Sequence, residues 1–368
     1  MINVTKTYMP DKAKYLAYVD QIFESGWVTN NGMLVRELEA RLADYLGIKN
    51  IVLVANGTIA LEIAYRLLKL DGEVITTPFS FVATTSSLVS NALKPIFADI
   101  DPKTLTLNPD NIEDRITDKT SAIVPVHVFG NACEVDRIQA IAEKNNLKVI
   151  YDAAHAFGVQ YKGESLLNHG DVSTLSFHAT KLFHTIEGGA LIINDDSLVE
   201  EARYLINFGI DGRDSVKALG TNAKMNEFEA AMGLCVLNDM DKVLHDCKVI
   251  YDFYESSLCD ILTLPIDNLH SSKNYSYFPA LFKSEQQTLD VQSALHENGI
   301  YPRRYFYPSL DTLPYIIDAE KMINSQTIAS RILALPLYPG LSREEQVNII
   351  SIIRKKMNII IMRPNILK

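Results

Sequence analysis

The chain has 368 residues, 47% hydrophobic and 22% charged, the profile of an ordinary globular protein rather than a disordered or fibrous one. Its formal net charge of -10 argues against a broad nucleic-acid-binding face, which needs a basic surface. An anionic ligand must therefore be held by a local positive site. In chain order, "IVLVA" (51–55) has the length and branching of a buried strand, and "TIALEIAYRLLKL" follows with its apolar residues on one helical face. "EVITTP" reads as a strand, "FVATTSSLVSNA" as a helix, and "KPIFADI" and "SAIVPVHV" as strands. "EVDRIQAIAEKNN" is a helix, and "KVIYDA", "STLSFH" and "GALIIND" are three more strands. Near-continuous apolar strands alternating with helices predict an α/β fold whose mostly parallel sheet is covered on both faces. The alternation stops near residue 240. "MNEFEAAMGLCVLNDMDKVLHDCKVIYDFYESSL" reads as one long connecting helix. An aromatic strand "YSYFPALF" (275–282), a helix near 286–298, and a last helix opened by a capping box at Ser342 and Glu345 follow. The expected division is a large domain over 1–238 and a smaller α+β domain over 239–368.

Cys133, Cys235, Cys247 and Cys259 form no CxxC pair and have no zinc-ligand spacing, which fits a reducing compartment. The first residues lack the basic-then-apolar order of a signal peptide, and no apolar run reaches the roughly 20 residues that span a bilayer. The greasy tail "VNIISIIRKKMNIII" is interrupted by Arg354, Lys355 and Lys356. The expected setting is cytoplasmic, without membrane or nucleic-acid partners.

Ligands on such sheets bind at the loops beyond the strand ends. In "ANGT" (55–58), Gly57 allows a tight turn, and the backbone N–H groups with the Thr58 hydroxyl make an anion site, although the same residues suit a plain helix cap. After "EVITTP", Phe79 or Phe81 can stack on a flat ring or join the core. Asp152 ends an apolar strand, where a carboxylate needs a partner such as a protonated ring nitrogen, and His155 lies three residues on. In "SFHATKLFHTIEGGA" (176–190), Lys181 stands just past the strand "STLSFH", with Ser176 five residues before it. Such a lysine can bond to an aldehyde and shuttle protons. His178 and His184 match no metal-site spacing, and no metal is expected. One cofactor uses all of these groups. Pyridoxal 5'-phosphate (PLP) needs a lysine for its aldehyde, a carboxylate for its pyridine nitrogen, an aromatic face for its ring, and a helix start with hydroxyls for its phosphate.

These residues, together with "GWVTNNGMLVRELEARLADYLG", "VPVHVFGN", "LGTNAKMNEFEAAMGL" and "LPLYPGLSREEQ", resemble the DegT/DnrJ/EryC1/StrS family of sugar aminotransferases over nearly the whole chain. The resemblance implies the aspartate-aminotransferase-type fold (PLP fold type I). It implies Lys181 as the catalytic lysine, Asp152 at the pyridine nitrogen, His155 at the cofactor face and Phe81 as the stacking ring. Gly57, Thr58 and Ser176 would take the phosphate, and Asn222 would reach the partner's phosphate in a homodimer with shared sites. A lysine at 181, where dehydratase relatives carry histidine, implies amino transfer, with glutamate as donor. Trp27, Arg303, Arg304, Tyr305 and Tyr307 lie where the family places substrate loops, and one of the two adjacent arginines is expected to contribute. "SFHATK" resembles members that act at C4 of dTDP-4-keto-6-deoxy-D-glucose to give dTDP-4-amino-4,6-dideoxy-D-glucose for O-antigen and other surface polysaccharides. C3 amination, UDP-linked substrates, a PLP lyase or desulfurase, and a non-enzymatic nucleotide-sugar-binding protein are the alternatives.

Overall fold

A computed structural model describes residues 1–317 and 319–357, so the end of the greasy tail and of the expected second domain (358–368) lies outside the described residues. Seven strands form the central sheet: β1 (Ile51–Val54), β2 (Glu73–Thr76), β3 (Lys94–Phe97), β4 (Thr120–Val124), β5 (Lys148–Asp152), β6 (Val172–Ser176) and β7 (Gly189–Ile193). Their order is β1-β7-β6-β5-β4-β2-β3. All neighbours are parallel except β7, which runs antiparallel to both β1 and β6.

The helices are α1 (Lys12–Ser25), α2 (Met33–Leu46), α3 (Gly57–Leu67), α4 (Val82–Ser90), α5 (Val135–Asn145), α6 (Val199–Leu205), α7 (Glu227–Asn238), α8 (Met240–Leu258), α9 (Glu285–Glu297), α10 (Ile323–Arg331) and α11 (Arg343–Lys356). Alternation along each strand divides the core. Ile51 and Leu53 pack with residues of α2 and α7 on one face, while Val52 and Val54 pack with α3 and α6 on the other. Burial on both faces is why the strands read as continuous apolar runs.

The long helical pattern near 225–258 is in fact two helices. Asp239 ends α7 and precedes α8 with φ -107° and ψ 4°. Polar Asn238 and Asp239 are weak helix formers, and the Asp239 carboxylate accepts a 3.0 Å hydrogen bond from the Tyr8 hydroxyl. A separate core then joins α8, α9 and α11 to an antiparallel pair, β8 (Phe278–Leu281) and β9 (Ile332–Leu335). The capping box of Ser342 and Glu345 opens α11.

The N-terminal residues join the two cores. Ile2 and Asn3 pair in parallel with Ile300 and Tyr301, and the Val4 carbonyl accepts from Leu337 N at 3.1 Å. Four residues on, the Tyr8 carbonyl meets His184 Nε2 at 2.6 Å, beside the large sheet. Among the described residues, no helix is long and apolar enough to cross a membrane.

Candidate active site

The site forms where β1, β5 and β6 end. Asn56 caps α3, its side-chain oxygen accepting from Ile59 N at 2.9 Å. Only glycine fits at 57, because a Cβ there would lie 2.7 Å from Ser176 Cβ. The first turn of α3 therefore rests against the end of β6, with its free N–H groups directed beyond the sheet.

Asp152, at the end of β5, is buried. Its Oδ2 accepts from Thr84 Oγ1 of α4 at 2.7 Å, and its Oδ1 accepts from Ala154 N at 3.2 Å. Ser80 holds the Thr84 hydroxyl at 2.7 Å. Burial raises the Asp152 pKa, opposed first by the Thr84 hydrogen bond, then by Ala154 N–H and the charge of Lys181.

Lys181 stands on the return from β6 to β7. That loop is closed by Phe177 N to Gly188 O (2.8 Å), Thr185 N to Phe177 O (2.9 Å) and Lys181 N to His178 O (2.8 Å). Lys181 Nζ lies 3.4 Å from the Tyr277 hydroxyl. Burial lowers its pKa to about 8, partly offset by Tyr305 and Asp152, while Arg303 lowers it further. His155 Nδ1 accepts from Phe129 N at 3.2 Å, and its ring stacks with Phe306 at 5.6 Å and 13°. Burial, with the Lys181 charge, holds the imidazole well below its usual pKa, so it is neutral.

Asp152, His155 and Lys181 line one cavity of about 250 Å³. The sheet side supplies Gly57, Thr58, Phe81, Asp152, His155, Ser176 and Lys181, and the C-terminal part closes it with Arg303, Tyr305 and Phe306. Arg303 is pinned by reciprocal backbone bonds with Ala334 of β9, at 3.1 and 2.8 Å, and its guanidinium lies 4.6 Å from the Tyr305 ring centre.

The sequence profile of the DegT/DnrJ/EryC1/StrS aminotransferase family matches residues 10–354. The chain belongs to this family. The aminotransferase is 43% identical to a dTDP-4-amino-4,6-dideoxy-D-glucose transaminase of Shigella dysenteriae, over 96% of this chain and 98% of that one. It is 38% identical to the Escherichia coli enzyme of the same name, over 97% and 99%. The crystal structure of DesI with its TDP-sugar product superposes with a TM-score of 0.91 at 32% identity, covering 96% of this chain and 92% of that one. The fold is thus the one the family resemblance implies.

The aminotransferase turns Phe81 to the cavity, whereas Phe79 is buried against Phe129 and Phe306. Arg303 faces the cavity. Arg304 turns away, to Glu285 at 2.6 Å and the Ser330 carbonyl at 3.0 Å, with its guanidinium 3.6 Å from the Tyr307 ring centre. Neither Arg304 nor Tyr307 lines the cavity. Trp27 lies elsewhere, in a pocket with Ser25, Met33 and Glu227 beside the start of α2. Asn222 is exposed, bridged to Asn207, and outside the cavity of its own chain. His184 is buried and tied to Tyr8, and Ile186 N donates to its Nδ1 at 3.2 Å.

Sequence reasoning missed Thr84 and Tyr277. Thr84 belongs to a run of small polar residues in a helix whose Thr84, Thr85 and Ser87 are all buried. Buried hydroxyls on one helix face are a signal that a polar partner lies opposite. Tyr277 had no such signal, since its strand reads as plain aromatic core.

Proposed function

We propose that this aminotransferase uses PLP to move an amino group from L-glutamate to C4 of dTDP-4-keto-6-deoxy-D-glucose. The product would be dTDP-4-amino-4,6-dideoxy-D-glucose, made in the cytoplasm for surface polysaccharide. The observation that carries the chemistry is one cavity holding the Lys181 amine, the buried Asp152 carboxylate and the exposed Phe81 ring beside the start of α3. That donor set fits PLP, and with Ile59 N taken by the Asn56 cap, the Gly57 and Thr58 N–H groups at the start of α3 are left for a phosphate. The sugar nucleotide and the position of amination rest on the two relatives that carry that transaminase name.

Bound in this cavity, the cofactor would supply an aldehyde and an electron-withdrawing ring. Phe81 and His155 would hold the ring, Asp152 its nitrogen, Gly57, Thr58 and Ser176 its phosphate, and Asn222 of a second protomer would complete the site. Thr84 keeps the Asp152 carboxylate aimed and opposes the effect of burial. Lys181 holds and moves the proton at Nζ. With a pKa near 8 it has both protonation states available at neutral pH. The stacked rings of His155, Phe129 and Phe306 exclude water from one side. Arg303 is the cation placed to meet the donor's carboxylates or the sugar's diphosphate. None of the four cysteines lines the cavity, which favours amino transfer over desulfuration.

The test is direct. Purified protein with PLP is yellow, and glutamate bleaches it. The amine-loaded protein then converts dTDP-4-keto-6-deoxy-D-glucose, with amination at C4 by product NMR. A colourless protein in excess PLP refutes the cofactor. Preferred turnover of a dTDP-3-keto or UDP-linked sugar refutes the assigned substrate.

A further inference from the structure

The opening of the cavity carries a second pair of groups to which the chemistry above gives no task. His178 and Glu187 both line it, with His178 Nε2 3.5 Å from Glu187 Oε1. Their side chains are 47% and 54% exposed, so both are open to a ligand entering the cavity. The imidazole is oriented. Its Nδ1 accepts from Thr180 N at 3.3 Å and lies 2.8 Å from the Thr180 hydroxyl, which leaves the ring proton on Nε2, the atom facing Glu187. This approach of the imidazole Nε2 is the only polar contact of the Glu187 carboxylate among the described residues. At 3.5 Å it is longer than a good hydrogen bond, so the carboxylate retains unused acceptor capacity.

Glu187 is also held in place at some expense. Ile186 before it has φ +74°, a left-handed conformation that a β-branched residue rarely adopts. Behind it, a Cβ at Gly188 would lie 2.0 Å from Thr185 Oγ1, and one at Gly189 would lie 2.6 Å from the Asn56 carbonyl carbon. The chain is thus forced tight against the start of α3, and Glu187 is set at the open side of the cavity containing Lys181.

We propose that His178 and Glu187 form a clamp for the ring hydroxyls of the hexose, resting on the reading of this site as a keto-sugar aminotransferase. An oriented imidazole N–H and a carboxylate with free lone pairs together match a hydroxyl, which both donates and accepts. The pair has no use for glutamate, whose carboxylates Glu187 repels. Its effect therefore falls on the sugar and not on the amino donor.

The experiment measures the two half-reactions separately on PLP-loaded enzyme. The donor half is followed by the bleaching of the cofactor with glutamate. The acceptor half is followed by its return with dTDP-4-keto-6-deoxy-D-glucose. Glu187→Ala and His178→Phe are expected to raise half-saturation by the sugar by about tenfold, the size of one lost charge-assisted hydrogen bond, and to change the donor half by less than about twofold. Glu187→Gln, which keeps an acceptor oxygen, is expected to recover part of the loss. With a sugar lacking its 3-hydroxyl or its 2-hydroxyl, the penalty of Glu187→Ala is expected to vanish for one of the two. Equal losses in both halves would mean that the pair merely supports the Lys181 loop, and unchanged sugar saturation would mean that it touches no substrate; either overturns the clamp. Failure of the wild-type enzyme to convert the sugar would instead refute the substrate assignment.

Discussion

Replacing Lys181 with methionine should make the cofactor-free protein more stable while abolishing turnover. In the unfolded chain the lysine amine has its ordinary pKa of 10.5, and in the folded cavity it falls to about 8 because burial disfavours the ammonium. The fall from 10.5 to about 8, at about 1.4 kcal/mol per tenfold, bounds the cost of that charge at about 3.5 kcal/mol at pH 7. Water in the cavity and the attraction to Asp152 reduce it, so about 1–2 kcal/mol is expected. The sign follows from the depressed pKa. The cost is complete below about pH 8, fades between 8 and 10.5, and is absent above. Methionine keeps the apolar stem and removes the charge, so packing is nearly conserved. Equilibrium urea denaturation of the cofactor-free wild-type and Lys181→Met proteins, at equal protein concentration and at pH 7 and pH 9.5, checks this. The variant should be more stable at pH 7, with the difference shrinking at the higher pH. An equal or less stable variant at pH 7, or a difference independent of pH, would refute the reasoning.

Thr84→Val removes the 2.7 Å hydrogen bond to Asp152 and should weaken PLP binding by about tenfold or more, with Thr84→Ser restoring most of it; absorbance titration of the apoprotein reads both. Glu227 is buried and accepts from Leu34 N and Val35 N, at 2.8 and 3.0 Å, at the start of α2. Glu227→Ala should therefore destabilise the fold by about 2–4 kcal/mol in urea denaturation, more than Glu227→Gln. Arg303→Ala should raise the KM for the sugar nucleotide or for glutamate by about tenfold, whereas Arg304→Ala should leave both within about twofold in steady-state assays.

The sheet was legible because its strands are buried on both faces, so that burial rather than pairing wrote their pattern. Asp152 and Lys181 could be found because a carboxylate at a strand end and a lysine beside a strand have few structural uses. What could not be read is what depends on contact across the chain. The break at Asp239 is set by polar residues and a hydrogen bond from Tyr8, more than two hundred residues away. The choice between Arg303 and Arg304 is made by backbone pairing with Ala334. The place of Trp27 beside Glu227, away from the cavity, follows from how α2 and α7 pack. The role of Thr84 needs α4 laid across the end of β5.

The first residues of the chain work as a short strap. Val4 is fastened to the C-terminal core through Leu337, and Tyr8 to the lysine loop and to Asp239. The four residue-to-residue steps between those anchors reach at most about 14 Å when fully extended. That limits how far the two cores can part along this edge, where the Lys181 loop is tied through His184.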